Sequence, residues 1–289
     1  MQLIGFKDYQ QQGKRLAHEL GLEYLEAAVH HFPDGESKVT LPEILADEII
    51  FCRSLNHPND KLVELFLACE VARQQGVGHI TLVAPYLCYM RQDIAFNPGE
   101  AISQKVIGQW LGQLFDRLIT VDPHLHRINN LNQVIVNTEA ISLSATSLMS
   151  EFLAQRPNPP LLLGPDSESE QWVRHIAEHT GLEWETADKQ RHGDRSVEIM
   201  LPEVDFKGRV VVIVDDIAST GRTIAQAAKV LHQAGAQTVS CLITHPLFAN
   251  DAEQILTNAC INHIWSTDSI DHHSNVIQLA PLLARAITT

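Results

Sequence analysis

Six short apolar runs recur along this chain, Glu48–Cys52, His79–Ala84, Leu118–Val121, Leu161–Leu163, Val210–Val214 and Thr238–Ile243, and several of them are solid with little alternation. A strand with one wet face alternates apolar and polar residues. A strand without alternation must be covered on both faces, as in a parallel sheet. Parallel neighbours need long crossovers. Stretches with helical apolar spacing supply them at Asp60–Gln75, Ser103–Phe115, Ser142–Gln155, Glu168–Gly181 and Thr223–Gly235. Strand-then-helix repetition predicts a doubly wound α/β fold. The chain has 289 residues, and at about 150 per domain that suggests two domains. The expected division is 1–145 and 146–289. The segment Gln155-Arg156-Pro157-Asn158-Pro159-Pro160 reads either as a linker or as a surface loop within a domain. A last helix, Leu279–Ile287, is expected to pack back on the first domain.

Charge and composition narrow the function classes. Lys plus Arg is 21 and Asp plus Glu 35, a net charge of −14. That balance argues against a nucleic-acid backbone binder, which needs a basic face, but not against a few local cations in a small-molecule site. Apolar residues are 45%, enough for a sizeable core. The cysteines, Cys52, Cys69, Cys88, Cys241 and Cys260, are scattered without C-x-x-C spacing, as in a reducing cytosol. The N-terminal apolar stretch is too short for a signal peptide, and no apolar run reaches the ~18 residues of a membrane span. The expectation is a cytoplasmic protein with neither a nucleic acid nor a membrane as partner.

The most informative segment runs Arg-Val-Val-Val-Ile-Val-Asp-Asp-Ile-Ala-Ser-Thr-Gly-Arg-Thr, 209–223. A buried strand ends in Asp215 and Asp216, a small-residue turn follows, and then a helix. Ligands of open α/β sheets bind at the carboxyl ends of strands. A helix start carrying Ser219, Thr220, Gly221 and Thr223 offers N–H groups and hydroxyls to a phosphate. Two acids beside an anion site fit a sugar phosphate, the acids on ribose hydroxyls and the turn on the 5-phosphate. The same residues also fit a plain capped helix after a strand.

The segment resembles the phosphoribosyl-pyrophosphate (PRPP) loop shared by type I phosphoribosyltransferases and ribose-phosphate diphosphokinases, the PRPP synthetases. Further segments resemble the synthetase branch. His31-Phe32-Pro33-Asp34-Gly35-Glu36-Ser37 is similar to Phe-x-Asp-Gly-Glu, and Pro85–Asp93 to Pro-Tyr-x-x-Tyr-x-Arg-Gln-Asp. Val121-Asp122-Pro123-His124 resembles Val-Asp-x-His, with the Pro123 variant of the archaeal-like class. Leu163-Gly164-Pro165-Asp166 resembles the start of Pro-Asp-x-Gly, with Ser167-Glu168-Ser169 in place of the usual run. Ala187–Asp194 resembles the flexible catalytic loop with Lys-x-Arg; by itself it reads as a solvated hairpin tip.

The resemblance implies two parallel-sheet domains of the type I phosphoribosyltransferase-like kind. It implies transfer of a diphosphoryl group from ATP to the 1-OH of ribose 5-phosphate, giving PRPP and AMP for nucleotide biosynthesis. Phe32, Asp34, Gly35, Glu36, Arg91, Gln92 and Asp93 would hold ATP across a subunit contact, so a homo-oligomer, dimer or higher, is expected. His124 and Asp166 would hold Mg²⁺, the histidine through water or weakly. Lys189 and Arg191 would be catalytic, closing over the β-phosphate. Asp215 and Asp216 would orient the ribose, and Ser219, Thr220, Gly221, Arg222 and Thr223 would hold its phosphate. Arg222 stands where synthetases usually have Gly; it would supply a cation or point outward, and would be strained if the position requires positive φ. His126 and the pairs His30-His31 and His272-His273 read as surface. A phosphoribosyltransferase consuming PRPP and a non-catalytic synthetase paralogue are the alternatives.

Overall fold

The computed structural model describes residues 1–125, 127, 128, 130–192 and 196–289, with backbone only at 190–192 and 196–198. His126, Gly193 and Asp194 therefore lie outside the described residues, as does the Arg191 side chain. The chain forms two compact units.

The first unit carries β1 (Gln2–Phe6), α1 (Gln10–Leu20), β2 (Tyr24–His31), β3 (Ser37–Thr40), β4 (Glu48–Cys52), α2 (Pro58–Gln74), β5 (His79–Val83), α3 (Ser103–Leu114), β6 (Arg117–Val121) and β7 (Glu139–Leu143). Among the described residues its sheet runs β3-β2-β1-β4-β5-β6-β7. Only the β2–β3 pairing is antiparallel. Chain order reverses between β1 and β4, as doubly wound folds require.

The second unit carries α4 (Thr146–Ala154), β8 (Leu161–Gly164), α5 (Glu170–Thr180), β9 (Trp184–Thr186), β10 (Asp188–His192), β11 (Ser196–Met200), β12 (Val210–Ala218), α6 (Arg222–Gln233), β13 (Thr238–Pro246), α7 (Ala252–Asn258), β14 (Ile264–Thr267) and β15 (Asn275–Ile277). Its all-parallel sheet runs β15-β14-β13-β12-β8-β9, and β10–β11 form a separate antiparallel hairpin. Here the order reverses between β8 and β12. Leu161, Leu163, Val211, Ile213, Cys241 and Ile243 are fully buried in one core with Ile224, Ala228 and Leu231 of α6. The non-alternating strands are thus covered as their composition demands.

The structure corrects one expectation and narrows two others. The helix expected over 142–155 starts only at Thr146, because Ser142 and Leu143 end β7, paired with Thr120 and Val121. The Pro-rich 155–160 segment is a connection inside the second unit. An uninterrupted unit 146–289 does not form: Ser269–Asp271 and Gln278–Thr289 group with the first unit. The reason is α8 (Ala280–Thr288), which buries Leu283, Ala284 and Ile287 and packs on α1. Arg117 at the start of β6 donates to the carbonyls of Ala286 (2.9 Å) and Ile287 (3.1 Å), the orphan acceptors at a helix C-terminus. No helix among the described residues is long and apolar enough to cross a membrane.

The Arg117 clamp gives a first prediction. Arg117→Ala removes two charge-assisted hydrogen bonds, together roughly 3 kcal/mol or more. Hydrogen exchange followed by mass spectrometry should show faster exchange over 280–288, with β12 and β13 unchanged. Equal exchange in α8 of both proteins would rule the clamp out.

Candidate functional site

Functional groups in the second unit collect where the strand order reverses. β8 ends at Gly164, and Asp166 follows two residues later. β12 ends through Asp215 and Asp216. Asp166 is fixed by local capping: its Oδ1 accepts the Glu168 N–H at 3.2 Å, and Ser169 Oγ donates to the Asp166 carbonyl at 2.6 Å. The unusual Ser167-Glu168-Ser169 run thus caps the entry to α5, with Ser169 fully buried.

Lys189 Nζ reaches Asp166 Oδ2 at 2.9 Å, both side chains being largely buried. Lys189 is not on a solvated tip. It lies within β10, opposite Ile199, which is buried in the core. Arg191 is also on β10 by its backbone.

Asp216 is buried, and Asp215 beside it accepts the Asp216 N–H at 3.0 Å. Burial, and then the carboxylates of Asp216 and Asp166, push the Asp215 carboxyl well above its usual range. The Asp216 N–H and the Lys189 ammonium pull the other way. This oxygen-only set of acids suits Mg²⁺, a hard cation that prefers oxygen ligands.

Ser219, Thr220 and Gly221 form the turn into α6. Gly221 has φ 67°, and a Cβ there would meet Leu256 Cγ at 3.2 Å and the Ala252 carbonyl at 3.3 Å. Both backbone and space demand glycine. The turn is tied down by Phe248 N–H to the Ala218 carbonyl (2.9 Å) and Ala249 N–H to the Ser219 carbonyl (2.8 Å). Arg222 is the first residue of α6, is exposed, and is not among the positive-φ residues, so it carries no left-handed strain. Thr223 is half-buried in the first turn.

In the first unit, Phe32-Pro33-Asp34-Gly35-Glu36 forms the tip of the β2–β3 hairpin. The Phe32 N–H donates to the Glu36 carbonyl at 2.8 Å, and Asp34 Oδ1 accepts the Glu36 N–H at 3.2 Å. Phe32 is 42% exposed, with the His30 ring packed against it edge-to-face at 4.8 Å. Sequence reasoning missed what holds this tip. Glu64 of α2 is 1% exposed and accepts from His31 Nε2 (2.8 Å) and Ser37 Oγ (3.0 Å), the residues on either side of the tip. Arg53 contacts the same carboxylate at 2.6 Å and, through Nε, Asp8 at 3.0 Å; Lys61 also meets Asp8, at 2.7 Å. Burial alone would raise the Glu64 carboxyl, but the bonds to Arg53, His31 and Ser37 hold it below its usual value. His31 is therefore a structural hydrogen-bond partner, contrary to its reading as mere surface. No local pattern marks the Glu64 contacts, because their partners lie 27 and 33 residues away in the chain.

Arg91 is exposed on the loop after β5. Gln92 is engaged by Ser103 Oγ (3.3 Å) and Gln104 N–H (3.2 Å). Asp93 is buried and accepts from Arg127 at 2.6 Å, so its carboxylate braces the loop. His124 follows the end of β6, two residues beyond Asp122, whose φ is 37°. Asp166 belongs to the second unit, so the two residues expected at a metal are each described within their own unit.

Architecture and turn define the type I phosphoribosyltransferase-like class. A family described as the N-terminal domain of ribose phosphate pyrophosphokinase matches residues 1–114, and the phosphoribosyl transferase domain family matches 133–280. The chain is 33% identical over 278 residues to a ribose-phosphate pyrophosphokinase of Methanopyrus kandleri, covering 95% of this chain and 94% of that one. It is 34% identical over 274 residues to ribose-phosphate pyrophosphokinase 2 of Archaeoglobus fulgidus, covering 95% of each. The fold matches the crystal structure of phosphoribosylpyrophosphate synthetase from Mycobacterium smegmatis with a TM-score of 0.81 at 22% identity, over 100% of this chain and 98% of that one. The chain belongs to the ribose-phosphate pyrophosphokinase family.

The raised Asp215 carboxyl has a signed consequence. The folded state holds this proton more tightly than the unfolded chain. That stability is present below the unfolded value of about 3.9 and is lost as pH rises through the raised folded value. Asn cannot ionise and keeps the acceptor for the Asp216 N–H. Asp215→Asn should therefore melt higher than the parent at pH 8, by ~1.4 kcal/mol for each tenfold tightening of proton binding on folding. The two proteins should converge at pH 4. A variant less stable at pH 8 would contradict the assignment.

Proposed function

We propose that this chain is a ribose-phosphate diphosphokinase. It moves the diphosphoryl group of ATP to the 1-hydroxyl of ribose 5-phosphate, yielding PRPP and AMP for nucleotide biosynthesis. The observation that carries this reading is the convergence of Asp166, Asp215, Asp216 and Lys189 directly ahead of the Ser219–Thr223 turn. Three acids, one cation and an anion-binding helix start match a substrate that is hydroxyl-rich at one end and phosphorylated at the other.

The turn and the free N–H groups of the first turn of α6 receive the 5-phosphate. Arg222, exposed beside it, adds a cation within reach of that group. Asp215 and Asp216 accept the ribose hydroxyls and orient the anomeric oxygen. ATP sits on the loops of the first unit, its adenine against Phe32 and its phosphates near Arg91 and Gln92. Asp34, Gly35 and Glu36 shape the turn that presents Phe32; Asp93 holds the Arg91 loop through Arg127. The loops act across a subunit contact in a homo-oligomer.

The anomeric oxygen attacks the β-phosphorus in line and loses its proton as the bond to the α-phosphate oxygen breaks. Mg²⁺ arriving with ATP neutralises phosphate charge when bound. Asp166 would hold it directly, since Mg²⁺ favours oxygen. Lys189 exchanges Asp166 Oδ2 for a β-phosphoryl oxygen and, with Arg191, stabilises charge as AMP leaves.

Incubation with Mg·ATP and ribose 5-phosphate, followed by ³¹P NMR, should show AMP and PRPP rising in equal amounts. AMP with inorganic diphosphate but no PRPP would refute the reaction. Lys189→Ala should cut kcat by roughly 10²–10³ with KM little changed. Because Lys189 also offsets Asp166, the variant should lose about 2 kcal/mol of stability at neutral pH. Near-normal kcat would remove Lys189 from the transition state.

A further inference from the structure

One set of donor atoms in the second unit has no role in ribose-phosphate chemistry. Glu253, in the first turn of α7, meets His272 and His273 on the turn before β15, and their ligand atoms all lie within 4.8 Å of one another. His272 Nε2 is 3.1 Å from Glu253 Oε1, and His273 Nε2 is 3.4 Å from Glu253 Oε2. Zinc holds imidazole nitrogen and carboxylate oxygen at about 2.0–2.2 Å, which gives a tetrahedral edge of ~3.4 Å. Each histidine nitrogen stands at nearly that spacing from a Glu253 oxygen, and the third edge is no longer than 4.8 Å. Simple ion pairing accounts for them less well. The two rings lie 4.2 Å apart, so two imidazolium charges on one carboxylate would repel each other.

The surroundings are built to aim His272. Its side chain is 15% exposed and packs on the Phe248 ring at 4.9 Å. Its Nδ1 lies 2.8 Å from Ser274 Oγ, which is 2.7 Å from the buried Ser266 Oγ. An ion at Nε2 requires the tautomer with its proton on Nδ1, where Ser274 Oγ is placed to accept it. In that tautomer Nδ1–H donates to Ser274 Oγ, and the 3.2 Å bond from the Ser274 N–H to Nδ1 is given up. The turn itself is pinned: Asn275 Oδ1 accepts the His272 N–H at 2.9 Å, and Asn275 Nδ2 donates to the Thr267 carbonyl at 2.6 Å.

We infer that Glu253, His272 and His273 form a second metal site, for a borderline transition ion of the Zn²⁺ class, with the fourth position left to water. Two imidazoles and one carboxylate favour such an ion over Mg²⁺, which demands octahedral oxygen. The ion joins α7 to the turn before β15. Its ligand His272 rests on Phe248, the residue whose N–H bonds the Ala218 carbonyl ahead of the phosphate turn. The site is thus braced on the loop that anchors the ribose-phosphate turn, while sharing no ligand with it.

The test uses the full-length chain, stripped of metal and titrated with Co²⁺ in excess Mg²⁺. The expected result is one equivalent bound per chain with the intense visible bands of four-coordinate Co²⁺, displaced by Zn²⁺. His273→Ala and Glu253→Gln should each abolish those bands, and Ser274→Ala should weaken binding about tenfold. The His273 side chain is 69% exposed, so its removal leaves the fold intact, which far-UV circular dichroism checks. Absence of the bands in the parent chain, or their persistence in both ligand variants, would overturn the site. The optical readout is independent of PRPP formation, so its failure and failure of the diphosphokinase assay are separate results.

Discussion

Crowding of like charge at the reversal point of the second sheet organises this protein's chemistry. Parallel strands deliver all their carboxyl ends to one edge, and the reversal between β8 and β12 opens a crevice there. Into that crevice the chain sends Asp166, Asp215 and Asp216. Such a set is tolerable only with cations at hand, and Lys189 supplies one by reaching across from the β10–β11 hairpin. The capping run holds Asp166, the end of β12 carries Asp215 and Asp216, and the hairpin carries Lys189. A site that repels itself until positive charge arrives is primed to bind cations. Stability is sacrificed locally for that readiness.

The first sheet contains the same kind of reversal, between β1 and β4, and treats it in the opposite way. There the residues following the two strands, Asp8 and Arg53, bond to each other, and Lys61 and Glu64 complete a filled network. Arg53 also lies over the Phe6 ring, 4.2 Å from its centroid. Opposite charges are interleaved, so the crevice is neutralised from within. This unit presents its candidate ligand groups elsewhere, on the β2–β3 tip and the loop after β5. One fold thus serves twice, once with its crevice open and once with it plugged.

How much of this was legible in the sequence depended on the range of the interactions. Glu48–Cys52 was readable as a strand to the residue, because burial on both faces leaves a solid apolar run. β7 was not: Glu-Ala-Ile-Ser-Leu is short and half polar, and its place is set by pairing with β6. α1 escaped notice because it opens Gln-Gln-Gln-Gly and buries Gln12, which bonds Asp271 from the far end of the chain at 2.9 Å. At the site, the Asp215–Thr223 turn was legible because strand, acids and helix start are contiguous. The Glu64 and Glu253 clusters were not, since each assembles from residues distant in sequence. Lys189 was placed on a loop because its polarity matches a tip; the burial of Ile199 opposite it puts it in a strand.

The return of α8 bears on how the chain is made. The first unit holds β1 to β7, yet the helix that packs on α1 and is clamped by Arg117 comes after the whole second unit. During synthesis from the N-terminus, the α8-facing side of α1 waits, uncovered, until α8 has been added. The second unit has by then emerged in full and can close its own parallel sheet first. The order of completion is therefore the reverse of the order of translation, and α8 acts as the latch that closes the first unit behind the second.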